Sequence, residues 1–121
     1  MAEIQNSKQY DLEDRILEFA KRWKLFVKKL PRTQGNIEDG KQLIRSSGSI
    51  GANCIEANES LSKKDFLMRI KICRKESKES CYWLTLINVN DIQNLEKERQ
   101  VFSKERTELV MIFSSIMIKS D

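Results

Sequence analysis

The stretch from Ser46 to Leu84 constrains this chain most. GSIGANCIEANESLSKKDF, dense in Ser, Gly, Ala and Cys, runs across one short polar connection into KICRKESKESCYWL, which is strongly basic. Small residues on two facing helices let their backbones approach closely. The pattern therefore predicts a tightly packed antiparallel helix pair at the centre of an all-helical domain. Ser47 and Ala52 are assigned to that crossing.

Four helical segments follow from the spacing of apolar residues. The first is expected from about Asp11, as N-cap, to Leu30, with Leu12, Ile16, Phe19, Trp23, Phe26, Val27 and Leu30 inward and Pro31 ending it. A polar turn through Thr33, Gly35 and Asn36 leads to a second helix with Leu43, Ser47, Ile50, Cys54 and Ala57 inward. Ser62 and Asp65 form a capping box for the third, whose heptad-like seam is Phe66, Ile70, Cys73, Ser77, Ser80, Leu84 and Ile87. Asn88 to Asn94 reads as a loop. The last helix runs from about Glu96 or Ser103 to Lys119 with Phe102, Leu109, Ile112, Phe113 and Ile116 inward. Joined by short loops, these make an up-and-down antiparallel four-helix bundle.

The 121 residues are one domain's worth, long enough to bury a core without disulfide or metal staples. Frayed ends are expected at about residues 1–9 and 120–121. The longest apolar-dominated run, Leu109 to Ile118, is about half the ~20 residues a membrane span needs. No signal-peptide core precedes Asp11, so the chain is expected in the cytosol. Cys54, Cys73 and Cys81 lack CxxC spacing and sit among apolar or small positions, which reads as free thiols in a reducing compartment. Histidine is absent, which removes the commonest general base and zinc ligand. Neither a metal nor a cofactor is expected.

The net charge of +4 is unevenly placed. Residues 21–32 hold Lys21, Arg22, Lys24, Lys28, Lys29 and Arg32 with no acid, and residues 61–80 sum to +4. On the third helix Lys64, Lys71, Lys75 and Lys78, with Arg74 nearby, recur at steps of seven, four and three, on the face opposite the Phe66 to Leu84 seam. Lys21, Lys28 and Arg32, flanked by Arg22 and Lys29, repeat the logic on the first helix. Such stripes neutralise phosphates and give sequence-independent affinity for RNA or DNA. A solvated surface that keeps the protein soluble is the plainer reading, since Glu76 and Glu79 lie between the lysines.

Ser49, Asn53 and Glu56 share a face of the second helix, and Ser77 and Glu79 are within reach from the third. The expected role is an interhelical hydrogen-bond network that fixes register and oligomeric state. Glu56 and Glu79 as paired carboxylates for hydrolysis, or as hard-metal ligands, is the competing reading; it lacks the Glu-x-x-His repeats of dinuclear bundles. Tyr82 and Trp83, neighbours about 100° apart on a helix, cannot both face the core. One is expected within the bundle and the other at a subunit boundary, a role also open to Trp23 and Phe26. A base-stacking platform ranks below that.

Ser49, Ile50, Ala52, Asn53 and Glu56, then Ser62, Lys63, Lys64 and Phe66, then Ser77, Glu79, Tyr82, Trp83 and Leu84 resemble the signature of the small four-helix-bundle proteins first noticed as products of 23S ribosomal RNA intervening sequences. That family is similar in turn to the accessory variability determinant of diversity-generating retroelements. Many members continue with Glu-Gly and an arginine-rich turn, whereas Ala57, Asn58, Glu59 and Ser60 follow Glu56 here, leaving that turn without positive charge. The resemblance implies a homopentameric ring of basic bundles without established enzymatic activity, whose retroelement relatives act with nucleic acid and reverse transcriptase. The expected function is thus a non-enzymatic, oligomeric, nucleic-acid-associated scaffold or accessory protein. The alternative is a protein-binding module that recruits an acidic partner such as a reverse transcriptase without touching nucleic acid.

Overall fold

A computed structural model describes residues 3–120, with side chains from residue 11 onward. Among these residues there are four helices and no strand: α1 (Glu3–Lys29), α2 (Gln34–Asn58), α3 (Lys63–Leu86) and α4 (Gln93–Ser120). Each packs on the next, and α1 meets α4 more sparingly to close the bundle. Cross-links between helices fix the directions. Arg15, Arg22 and Lys29 along α1 meet Glu108, Glu105 and Glu98 in descending order along α4, so those two helices are antiparallel. Arg45 and Asn53 of α2 meet Glu76 and Arg69 of α3 in the same inverted order.

Helix boundaries follow from their caps. Thr33 accepts from the Asn36 amide at 3.1 Å and Ser62 from the Asp65 amide at 3.1 Å, each satisfying an otherwise orphaned N–H, worth about 1 kcal/mol. Asp11 is not a cap. The helix continues toward Glu3 because neither Gly nor Pro interrupts the preceding residues, and Asp11 is an exposed interior position. Of the ends expected to fray, residues 1, 2 and 121 lie outside the described residues. The last loop is shorter than Asn88 to Asn94, since α4 begins at Gln93. Asn90 and Asp91 take left-handed φ values of 55° and 60°, which short polar side chains tolerate, and Asn88 Oδ1 accepts from the Asn90 amide at 2.8 Å.

The core is two-toned. Between α1 and α4 it is aromatic: Phe19, Trp23 and Phe26 surround Phe102 with centroids 5.3 to 6.3 Å apart, largely edge to face. Trp23 and Phe26 are each 1% exposed, so they belong to the interior and not to a boundary. Between α2 and α3 it is built of small residues. Ser46 and Ser80 share a 2.9 Å hydrogen bond, Ser77 donates to the Cys73 carbonyl, and Cys73 donates to the Ile50 carbonyl. Ser47 is buried as expected, but Ala52 is exposed and lies outside the crossing. A second close approach joins α1 to α2, where a Cβ on Gly40 would stand 2.7 Å from Val27 Cγ1.

Asn36 was readable only as a turn residue, yet it is 4% exposed and clamps two loops together. Its Nδ2 donates to the carbonyls of Pro31 and Asn88 at 2.9 and 2.8 Å, and its Oδ1 accepts from the Asn88 amide at 2.9 Å. The α1–α2 and α3–α4 turns are thereby fixed at one end of the bundle.

Candidate nucleic-acid interface

The two basic helices use their charges differently. On α1, Arg22 Nη2 donates to Glu105 Oε1 at 2.6 Å, with its guanidinium carbon 5.7 Å from the centre of the Phe102 ring. Lys29 reaches both oxygens of Glu98 at 2.7 Å, and Arg15 reaches Glu108 at 2.5 Å. These cations turn toward α4 and zip the seam. Lys21 stands 3.4 Å from Glu18 of its own helix. Lys28 is exposed on an outer α1 face that also carries Asp14 and Glu18, and Arg32, expected to continue that stripe, is exposed in the turn beyond Pro31 because α1 ends at Lys29.

On α3, Lys64, Lys71, Lys75 and Lys78 are all exposed. At 100° per residue they lie within about 60° of one another, opposite the buried seam. No carboxylate among the described residues lies within ion-pair distance of them, or of half-buried Arg74 beside them. Glu76 and Glu79, which interrupt the lysines in sequence, turn away toward α2, where Arg45 holds them at 2.8 and 2.9 Å. Glu76 is buried, so this guanidinium is what neutralises it. The lysine stripe is therefore free of acids along its own face.

The expected polar network divides in two. Asn53 Nδ2 donates to the Ser49 carbonyl and hydroxyl, and its Oδ1 accepts from Arg69 of α3 at 2.9 Å. Glu79 belongs to the separate Arg45 cluster and also accepts the Trp83 indole N–H at 3.1 Å. Ser77 is buried and bonds within its own helix, while Glu56 is exposed and joins neither group. Arg45 and Glu56 are separated by a helical rise of about 17 Å, and Glu79 sits at Arg45, so the two carboxylates do not share one reacting centre. Among the described residues no three Cys, Asp or Glu side chains assemble as a metal site. Arg45, Arg69 and Glu76 escaped sequence reasoning, although an acid on the inward flank of α3 signals a partner.

Burial pushes the Cys54 and Cys73 thiols up to about 12, helped at Cys54 by Glu13 and at Cys73 by Cys54. Both stay protonated and unreactive at neutral pH. Cys81 is half-buried. Of the adjacent aromatics, Trp83 packs against the core and Tyr82 is 60% exposed. No described helix is long and apolar enough to cross a membrane.

Over residues 8–114 the chain matches the family described as 23S rRNA-intervening sequence protein. It is also similar to a protein of unknown function from the S23 ribosomal protein family of Bacteroides thetaiotaomicron, whose crystal structure superposes with a TM-score of 0.78 at 33% identity, covering 91% of this chain and 97% of that one. Among curated proteins none matches.

Proposed function

We propose that this chain, which belongs to the 23S rRNA-intervening sequence protein family, is a non-enzymatic, self-assembling bundle that binds RNA or DNA through the outer face of α3. One observation carries this reading: four lysines share an exposed helical face, and the two acids among the last of them, Glu76 and Glu79, are turned away to Arg45. Unpaired surface cations in a row repel one another and add nothing to the stability of the fold, whereas phosphates would relieve that repulsion and release counterions.

Self-assembly into a pentamer draws on α2. Ile37, Ile44, Gly48 and Ile55 recur at one angular position, beside exposed Ala52. A Cβ on Gly48 would meet nothing within 4 Å, so no internal contact calls for glycine there, while a second copy's backbone would. A ring repeats the lysine stripe around an axis, and weak phosphate contacts then reinforce one another.

A second reading has its own support. Arg22, Leu25, Lys29, Lys97, Glu98 and Val101 rim a groove of about 300 Å³ between α1 and α4, floored by Phe102; Arg22 and Lys29 are paired to Glu105 and Glu98, and exposed Lys97 is the cation through which an acidic protein such as a reverse transcriptase could dock there. Light scattering coupled to size exclusion, with and without a mixed-sequence structured RNA at low and moderate salt, separates the two. A mass of about five subunits that shifts with RNA at low salt is the expected result. A pentamer indifferent to RNA moves the proposal to the protein partner, and a monomer removes the ring.

A further inference from the structure

The lysine stripe ends in an aromatic ring. Tyr82 follows Lys78 by the same four-residue step that separates Lys71 from Lys75, so it continues the stripe toward the C-terminal end of α3. More than half of the side chain is open to solvent. The ring is nevertheless braced: Tyr82 and Trp83 meet edge to face, with centroids 5.1 Å apart and planes at 74°. Trp83 is tied by its indole N–H to Glu79, Glu79 to Arg45 of α2, and Arg45 to buried Glu76. Trp83 packs against the core and Arg45 neutralises buried Glu76, so the brace is anchored in the fold, while Tyr82 at its outer end is open to solvent. What the brace does is hold an exposed ring at the end of a row of cations, so that little rotamer freedom is lost when a flat partner covers it.

We propose that Tyr82 is a base-stacking platform and that the ligand of the α3 face is single-stranded nucleic acid, or an unpaired loop, in preference to continuous duplex. The inference rests on the nucleic-acid reading above and narrows it. Successive lysines from Lys71 to Lys78 rise about 4.5 to 6 Å along the helix, and Tyr82 lies about 6 Å further on. A strand laid along α3 can set phosphates against the lysines and turn one base onto the ring. A paired duplex offers Tyr82 no free base face, because its bases are already stacked. The sequence alone put one of Tyr82 and Trp83 at a subunit boundary and ranked stacking below that; the acid-free stripe and the brace behind the ring favour stacking.

The test compares a short mixed-sequence single-stranded RNA with a fully paired duplex of equal length, by fluorescence anisotropy at matched salt. Wild-type protein, Tyr82→Ala and Tyr82→Phe are measured, with light scattering on each. Tyr82→Ala is expected to weaken single-strand binding by about 5- to 100-fold while leaving duplex binding and the salt dependence in place. Tyr82→Phe keeps the ring and retains affinity. Unchanged single-strand affinity in Tyr82→Ala, an equal loss on duplex, or a changed oligomer mass overturns the stacking role. Wild-type protein that binds neither RNA removes the nucleic-acid reading itself, so the two failures are distinguishable.

Discussion

Helices α1 and α3 are both rich in lysine and arginine, yet only one presents a continuous cationic face. On α1, Arg15, Arg22 and Lys29 point at Glu108, Glu105 and Glu98 of α4, where the seam is held by a ring cluster around Phe102 and otherwise has few contacts. On α3 the acids are the residues that turn inward, to Arg45, and the lysines remain outside. The same number of cations therefore yields a structural seam in one place and a candidate binding face in the other. Which neighbour each helix has decides the difference.

That contrast can be broken first at α3. Reversing Lys71, Lys75 and Lys78 to Glu should lower RNA affinity by about 100-fold or more at low salt, with the melting temperature unchanged or raised. An anisotropy titration beside a thermal melt reads both, and binding that survives the triple change would place the footprint elsewhere. Arg45→Ala should destabilise the fold by about 2 kcal/mol, because Glu76 is left buried without its partner. Urea unfolding checks it, and restored stability in Arg45→Ala with Glu76→Gln would confirm the cause.

Smaller effects belong to α1. Replacing Arg22 and Lys29 by Ala should cost about 1 kcal/mol in the same urea assay, since both pairs are partly exposed, and should leave RNA affinity nearly unchanged. A large loss of binding in this double variant would erase the distinction between the helices.

The thiols provide the weakest effect at neutral pH. Cys54 and Cys73 are raised from 9.0 to about 12, so above pH 9 the unfolded chain loses these protons while the folded one keeps them. Stability from these groups is therefore complete below pH 9 and declines as pH rises from 9 toward 12. Melts of wild type and Cys73→Ala over that range should converge with rising pH. At pH 8 a thiol reagent should label half-buried Cys81 well before the other two.

Periodicity made the bundle legible: the inward positions from Ile16 to Leu30, the seam from Phe66 to Ile87 and the Ser62 cap stand where the spacing puts them. The lysine face of α3 was equally readable, because it needs only the rotation of one helix. Other features depend on two elements at once and left no trace in a linear pattern. The α1 stripe of Lys21, Lys28 and Arg32 does not hold together, because Lys21 pairs with Glu18 and Arg32 lies past the end of the helix, while its flanking cations Arg22 and Lys29 find their carboxylates on α4. Asn36 looked like a turn former because its partner, Asn88, lies in another loop. Ala52 looked like a crossing residue because it is small, but its angle on α2 points it outward; the close approach falls at Gly40 against Val27. Glu56 and Glu79 looked like a pair by residue type, and register separates them.

On the function proposed above, α3, and not α1, carries the phosphate-binding charge. The most direct test is the slope of log affinity against log salt for a single-stranded RNA, compared among wild type, Lys71→Gln/Lys75→Gln/Lys78→Gln and Arg22→Gln/Lys29→Gln. The slope should be shallower by about 2 in the α3 variant and unchanged in the α1 variant. A slope that flattens for α1 and not for α3 would contradict it.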